Sequence, residues 1–180
     1  MTTRTLTKKI SLLGDPAVGK TSLIQRFVYD AFDDRYLSTI GAKITKKTQT
    51  LTVEQNPKLT QDTNLTFLIW DIAGQKAFKS VHQAYYRGSE AALIVCDITR
   101  RETLDNILEW ISELYKVVGN VPTLILINKY DLKDQVSFGE REINAIAAQV
   151  RVPYYFTSAK SGHNVENAFK TLAEFVLGTR

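Results

Sequence analysis

Apolar residues along the chain follow two periodicities, one typical of buried strands and one typical of amphipathic helices. Short runs of consecutive apolar, often branched residues predict strands that are covered on both faces, as in a parallel sheet. Between these runs, apolar residues recur every three or four positions, as in a helix that packs on a sheet. The alternation predicts one α/β domain over residues 1–180 with a mostly parallel sheet. Strands are expected at Ile10 to Leu13, Leu65 to Ile72, Ala91 to Asp97, Thr123 to Asn128 and Tyr154 to Thr157.

Capping patterns indicate where several helices begin and end. Thr99 and Ser137 are each followed by a glutamate three residues later, the capping-box pattern in which the first side chain caps a helix. The apolar stripes that follow predict helices through Leu104 to Val118 and through Ile143 to Val150. A last stripe stops at Gly178, a residue type that is common just after a helix C-terminus.

Composition excludes several classes of protein. The 23 Lys and Arg against 19 Asp and Glu give a formal net charge of +4, and the single Cys96 excludes an internal disulfide and is expected to be buried. No apolar run approaches the roughly 18 residues of a membrane span, and the first nine residues lack a signal-peptide pattern. His82 and His163 are isolated and expected at the surface, and no base-stacking aromatic module favours nucleic acid. Composition therefore predicts a cytoplasmic protein.

The first predicted strand is followed directly by Gly14 to Thr21, with the sequence GDPAVGKT. It satisfies the pattern G-x-x-x-x-G-K-[ST], in which backbone N–H groups converge on phosphate oxygens at the positive end of a helix. In that arrangement Lys20 reaches the β- and γ-phosphates, and the Thr21 hydroxyl binds Mg²⁺. A nucleotide is therefore expected to bind through Asp15, Pro16, Ala17, Val18, Gly19, Lys20, Thr21 and Ser22.

A phosphate loop by itself is compatible with an ATPase, a nucleotide kinase or a GTPase. Two later strand ends, Asn128 to Asp131 and Ser158 to Lys160, distinguish these classes. The Asp131 carboxylate can accept hydrogen bonds from N1–H and the 2-amino group of guanine, whereas adenine offers no such pair of donors. Guanine is therefore the predicted base. The other expected contacts are positioning side chains from Asn128 and Ser158, base-covering stems from Lys129 and Lys160, and the Ala159 N–H at the guanine carbonyl.

Over roughly residues 7–177 the chain resembles a Ras-superfamily small GTPase, and most closely the Rab-type branch. The Thr39-Ile40-Gly41 turn, Trp70 and the paired Tyr85-Tyr86 are its Rab-like features. The resemblance implies a P-loop NTPase three-layer sandwich, with a six-stranded mostly parallel sheet, one antiparallel strand and five flanking helices. It is carried by Gly14 to Thr21, Tyr36 to Gly41, Trp70 to Gln75, Ala84 to Gly88, Asn128 to Asp131 and Ser158 to Lys160.

The same resemblance implies individual roles. Thr39 is the switch threonine that binds Mg²⁺ together with Thr21 and senses the γ-phosphate, and Asp71 holds the metal. Gly74 offers its N–H to the γ-phosphate. The implied catalytic residues are Gln75, which orients the attacking water, and Lys20; further nucleotide contacts are implied for Phe32, beside the guanine, and for Tyr36.

The implied function is a monomeric switch in Rab-like membrane trafficking that slowly hydrolyses GTP to GDP and phosphate. Its effectors, exchange factors and GTPase-activating proteins are expected to bind two loops that rearrange when the γ-phosphate is lost. A GTP-bound scaffold that does not cycle is an alternative, which Gln75 argues against and which Pro16 and Lys76 leave open. An ATP-using P-loop enzyme is a second alternative, opposed by Asn128 to Asp131.

Several residues depart from the Rab-type pattern. Pro16 is either a rigid turn or a ring that crowds the arginine of an activating protein. Lys76 and Ala77 stand where Glu and Arg are common, which weakens the expectation of efficient intrinsic hydrolysis. The spacing from Thr39 to Asp71 is long, and the polar residues from Glu54 to Asn64 predict a lengthened hairpin tip, either a solvated loop or a partner contact.

The positive charges cluster around the two expected switch loops. Neither residues 35–53 nor residues 72–89 contain an Asp or Glu, although they contain seven Lys and Arg in total. These cations are either solvated individually or form a surface for an acidic partner or an anionic membrane. The chain ends at Gly178-Thr179-Arg180 without a prenylation cysteine, so no direct lipid anchor is expected for the chain as given, and peripheral membrane association through partners is compatible with the cytoplasmic prediction. The cations are Arg35, Lys43, Lys46, Lys47, Lys76, Lys79 and Arg87.

Overall fold

The computed structural model describes residues 4–35, 37–56, 59–74 and 79–179. Within these ranges six strands form one sheet, in the order β2-β3-β1-β4-β5-β6. β2 is antiparallel to β3, and the other neighbouring pairs are parallel, which confirms the predicted sheet. The strands are β1 (Arg4–Leu13), β2 (Ala42–Asn56), β3 (Leu59–Ile72), β4 (Ala91–Asp97), β5 (Thr123–Asn128) and β6 (Tyr154–Phe156).

The part of the chain described above has six α-helical segments, where the resemblance implies five helices. The difference arises at Asn106, where a turn divides the third expected helix in two. A 3-10 helix covers Tyr130–Gln135. Of the helices that the structure describes, none has the length and apolar character needed to cross a membrane. The helices are α1 (Lys20–Tyr29), α2 (Lys79–Tyr86), α3 (Arg101–Asp105), α4 (Ile107–Val118), α5 (Glu140–Val150) and α6 (Val165–Leu177).

The two faces of the sheet have separate apolar cores, which makes the molecule a three-layer sandwich. On one face α1 and α6 pack together, with the Phe27 and Phe169 rings stacked at a centroid distance of 3.8 Å. On the other face the core contains side chains of α4 and α5. β4 is buried over its whole length, and its alternate residues face the two cores, with Val95 toward α1 and Cys96 toward α4.

β2 has no strand signal in the apolar pattern because it is the edge strand. Its side chains are largely polar, and Lys43, Ile44 and Lys46 are exposed. The β2–β3 ladder continues to the pairing of Asn56 with Leu59, so the segment from Glu54 to Asn64 lengthens this hairpin as predicted. Residues 57 and 58 lie outside the described ranges.

Neither capping box forms in the predicted register, because the hydroxyls of Thr99 and Ser137 donate to Asp97 and to the Ile98 carbonyl instead. α3 begins one residue later than the box requires, and Thr99 Oγ1 donates instead to Asp97 Oδ1 at 2.7 Å. At α5, Glu142 Oε2 accepts the Gly139 N–H at 2.8 Å, two residues beyond the predicted position.

The prediction that His82 lies at the surface is wrong. Its side chain on α2 is only 1% exposed. The imidazole packs between Tyr86 and Trp110, at ring-centroid distances of 6.2 and 5.8 Å. It is buried because α2 turns this side chain inward onto α4.

Candidate nucleotide-binding site

A cleft of about 660 Å³ opens where β1, β3, β5 and β6 end. These are the carboxyl ends of parallel strands, the edge at which open α/β sheets bind their ligands. The structure brings fifteen of the predicted site residues to this cleft. They are Pro16, Ala17, Gly19, Lys20, Thr21, Ser22, Phe32, Thr39, Asp71, Gly74, Asn128, Lys129, Asp131, Ala159 and Lys160.

The remaining predicted residues are placed differently. Asp15, Val18 and Ser158 are buried beside the cleft, where their side chains do not line it. Tyr36 and Gln75 lie outside the described residues. The cleft also has lining residues that the motifs did not indicate, among them Gln25, Asp33, Asp34 and Lys43.

The phosphate loop is packed so closely that two positions exclude any side chain. Gly14 has φ +138°, and a Cβ there would lie 2.2 Å from the Val95 carbonyl oxygen of β4. A Cβ on Gly74 would lie 2.5 Å from the Gly14 carbonyl oxygen and from the Pro16 nitrogen. The second expected switch therefore begins in direct contact with the phosphate loop.

Lys20 is held inside the phosphate loop by main-chain carbonyls. Its Nζ donates to the carbonyl oxygens of Gly14 at 2.7 Å and Asp15 at 2.8 Å. Burial lowers the pKa of the Lys20 ammonium to about 8, against the opposing influence of the Asp71 and Asp15 carboxylates. An anionic ligand next to this group would favour its charged form, which suits Lys20 to bind a phosphate.

Three oxygen-bearing side chains, Thr21, Thr39 and Asp71, meet beside Lys20. Thr21 Oγ1 donates to Asp71 Oδ2 at 2.5 Å and lies 3.1 Å from Thr39 Oγ1. Asp71 is 1% exposed, and among the described residues its Oδ1 has no hydrogen-bond partner. Burial raises the pKa of Asp71, although the Thr21 hydrogen bond and the Lys20 charge oppose this. Mg²⁺ prefers a few such oxygens together with phosphate and water, so the cluster fits this ion.

Asn128 joins the phosphate loop to the loop after β6. Its Nδ2 donates to the Val18 carbonyl at 2.9 Å, and its Oδ1 accepts the Ala159 N–H at 3.3 Å. Ser158 Oγ donates to Asp131 Oδ1 at 2.6 Å. The predicted guanine-binding residues therefore form one connected group with the phosphate loop.

Asp97, at the end of β4, is a part of the site that motif reading missed. This 1% exposed carboxylate lies 2.6 Å from Lys129 Nζ and 3.2 Å from Arg100 Nε. Although burial favours protonation, hydrogen bonds from Lys129 and Thr99 hold the pKa of Asp97 below its ordinary value. Arg100 Nη2 in turn donates to the Pro16 carbonyl at 2.7 Å. An acidic residue at the carboxyl end of a fully buried strand was the available signal.

A second missed support holds the side chain of Asp15. Trp110 Nε1 donates to Asp15 Oδ1 at 2.9 Å, and Asn106 Nδ2 donates to Oδ2 at 2.6 Å. Both carboxylate oxygens are therefore bound by the junction of α3 and α4. Trp110, a buried residue of the α4 core, therefore also holds the phosphate loop in place.

Comparison with known proteins matches residues 9–177 with the model of the Ras family. The GTP-binding protein ypt5 of Schizosaccharomyces pombe is 40% identical over 172 residues, covering 94% of this chain and 78% of that protein. Ras-related protein RABD1 of Arabidopsis thaliana is 37% identical over 166 residues, covering 92% and 77%. Ras-related protein RIC1 of Oryza sativa subsp. japonica is 36% identical over 166 residues, covering 92% and 78%.

Proposed function

This chain belongs to the Ras family of small GTPases, and from that premise we propose that it is a Mg²⁺-dependent GTP/GDP switch in Rab-like membrane trafficking. The observation that supports this most directly is the 3.1 Å approach of the Thr39 and Thr21 hydroxyls beside Asp71. Thr39 lies in the exposed segment before β2, whereas Thr21 is part of α1. An exposed segment outside the regular elements is thus connected to the phosphate site.

In the proposed mechanism Thr21, Thr39 and Asp71 hold the metal, which when bound neutralises phosphate charge. Lys20 and the backbone N–H groups of the phosphate loop bind and orient the phosphates. Gly74 lies against the phosphate loop, and its N–H is proposed to contact the γ-phosphate. Gln75 is proposed to orient the attacking water. Loss of the γ-phosphate removes contacts of Thr39 and Gly74, so both loops rearrange.

The proposed partner surface combines exposed apolar and basic side chains. Leu37, Ile40 and Ile44 are 80%, 94% and 53% exposed. Next to them, Trp70 contacts Tyr85 at a ring-centroid distance of 6.3 Å. We propose that effectors, exchange factors and activating proteins bind this surface, and that acidic groups of a partner or membrane meet its basic rim. The rim contains the exposed Lys43 and Lys46 of β2 and Arg87, whereas Lys47 lies against α1, where its Nζ donates to the Val28 carbonyl at 3.4 Å.

The function is tested by following GTP bound to the purified protein, with and without EDTA. With Mg²⁺ we expect slow conversion to GDP and phosphate, faster than release of the nucleotide. EDTA should accelerate release at least about tenfold, because a metal held by Thr21 and Asp71 would neutralise phosphate charge and its removal would take away that stabilisation. Excess Mg²⁺ should restore slow release. Bound GTP that is never cleaved would support the scaffold alternative, and equal retention of ATP would contradict the guanine assignment.

Pro16 provides a test of how the phosphate loop limits stimulated hydrolysis. Its ring lines the cleft, and its carbonyl is fixed by Arg100. Pro16→Gly should change the intrinsic single-turnover rate less than about threefold while raising stimulation at least about tenfold, because an inserted arginine can contribute 10³–10⁵. The measurement is GTP hydrolysis with and without the catalytic domain of a Rab-type activating protein. If both rates stay unchanged, Pro16 is a rigid turn only.

A further inference from the structure

Arg26, in the last turn of α1, binds the loop after β6 and does not line the cleft. Its Nε donates to the Ala159 carbonyl at 2.8 Å, and its Nη2 donates to the Lys160 carbonyl at 2.7 Å. Its Nη1 contacts Asp30 Oδ1 at 2.9 Å. The side chain is only 19% exposed. The planar guanidinium is therefore fixed in three directions at once.

The loop is closed by its own hydrogen bonds, but these do not fix it to α1. The Ser158 N–H donates to the His163 carbonyl at 3.0 Å, and the Gly162 N–H donates to the Ser158 carbonyl at 2.8 Å. Gly162 has φ +82°, and a Cβ there would lie 3.7 Å from Arg26 Cδ, so the loop lies along the aliphatic stem of Arg26. The hydrogen bonds to the Ala159 and Lys160 carbonyls and the close packing at Gly162 together fix the loop to α1.

We propose that Arg26 is a positioning residue for base recognition. Arg26 holds the Ala159 and Lys160 carbonyls, while Asn128 Oδ1 accepts the Ala159 N–H at 3.3 Å. Together these contacts set the position from which the Ala159 N–H would reach the 6-oxo group of guanine. The Arg26 side chain does not line the cleft and acts only through the loop. α1 thus connects both ends of the site, since it begins at the phosphate loop and its last turn holds the base loop. The inference rests on the proposed guanine-nucleotide function.

Removal of Arg26 should weaken the base loop without unfolding the protein. α1 remains packed through the stacked rings of Phe27 and Phe169, which do not depend on the guanidinium. We therefore expect Arg26→Ala to remain folded when saturated with GDP. A loop that is no longer fixed should release the nucleotide faster, with little change in the rate of binding.

The experiment compares GDP with 6-thio-GDP, in which sulfur replaces the 6-oxo acceptor while N1–H and the 2-amino group remain. For Arg26→Ala we expect GDP release about tenfold faster than for the wild type, and a GDP over 6-thio-GDP preference reduced at least about threefold. A role confined to overall stability would weaken both nucleotides equally and leave the ratio unchanged. That unchanged ratio, or release of GDP at the wild-type rate, overturns the proposal.

Three variants complete the test. Arg101→Ala removes an exposed arginine that pairs with Asp105 and Glu142, each at 3.1 Å. It should leave the rate of GDP release and the GDP over 6-thio-GDP preference at wild-type values. Asp30→Asn removes the ion pair with Arg26 but keeps both carbonyl contacts, so the ratio should stay near that of the wild type. If Arg26→Ala does not fold, Arg26→Gln decides, because its amide can reach only one carbonyl and a wild-type ratio would overturn the proposal. A wild-type protein that retains no GDP contradicts the proposed function instead.

Discussion

Replacing Asp131 with Asn is expected to convert the protein from guanine to xanthine nucleotides. The carboxylate can accept from N1–H and the 2-amino group of guanine, whereas an amide can donate to the 2-oxo group of xanthine. Ser158 Oγ donates to Asp131 Oδ1 at 2.6 Å, and an asparagine oxygen can accept the same hydrogen bond, so the loop should keep its position. GDP affinity should fall about 100-fold or more, since charge-assisted hydrogen bonds contribute ~1.5–3 kcal/mol each.

Competition between GDP and XDP for the purified variant measures this change. Asp134→Asn is the matched control, because Asp134 is an exposed aspartate on the same 3-10 helix and does not line the cleft. It should bind GDP as the wild type does. If Asp131→Asn still prefers GDP over XDP, the assignment of the base to this loop is wrong.

Replacing Gly14 with Ala should have the largest effect on folding. The new Cβ would lie 2.2 Å from the Val95 carbonyl oxygen, and β4 cannot retreat because it is hydrogen-bonded between β1 and β5. The backbone angle φ of +138° adds strain of ~1–3 kcal/mol. We expect the free energy of unfolding to fall by about 4 kcal/mol or more, a large part of the stability of a domain of this size.

Gly88→Ala is the control that separates the steric clash of a new Cβ from the backbone strain of a positive φ. Gly88 also has a positive φ, +73°, but a Cβ there meets no atom within 4 Å. The substitution should lower the free energy of unfolding by ~1–2 kcal/mol, which is the contribution of backbone strain alone. Denaturant unfolding of the two variants in the absence of added nucleotide gives the comparison. Equal stability of the two would show that β4 can move away from the phosphate loop.

The central sheet could be predicted because a strand that is buried on both faces appears in the sequence as a run of consecutive apolar residues. A strand such as β4 is apolar at nearly every position, whatever the rest of the molecule does. β2 has no such apolar run, since an edge strand with solvated faces tolerates Lys, Thr and Gln. The helix starts were misplaced because the Thr99 hydroxyl is bound to Asp97, two residues earlier, and α3 begins one residue later than the capping box requires. A capping pattern fails where another hydrogen-bond partner, even one close in sequence, holds the capping side chain.

The site residues likewise fall into a group that the sequence predicts and a group that it does not. Phosphate and base contacts lie in short contiguous motifs, because each loop must place several backbone groups on one ligand. The supports of those loops join distant segments, as when Trp110 binds Asp15 or Arg26 binds Ala159. No spacing rule predicts which side chain of a neighbouring helix reaches a loop. These contacts depend on helix orientation, and only the folded structure shows them.

The two tryptophans of the chain stand at the two places where bound nucleotide would alter the surroundings. Trp70 has the Lys9 ammonium 3.8 Å from the centroid of its ring and Tyr85 of α2 beside it. Trp110 donates to the carboxylate of Asp15 in the phosphate loop. Indole emission responds to nearby charge and to hydrogen bonding at its nitrogen. We therefore expect the emission of Trp70 to report on α2 and that of Trp110 to report on the phosphate loop, so that nucleotide turnover changes the intrinsic fluorescence without a label.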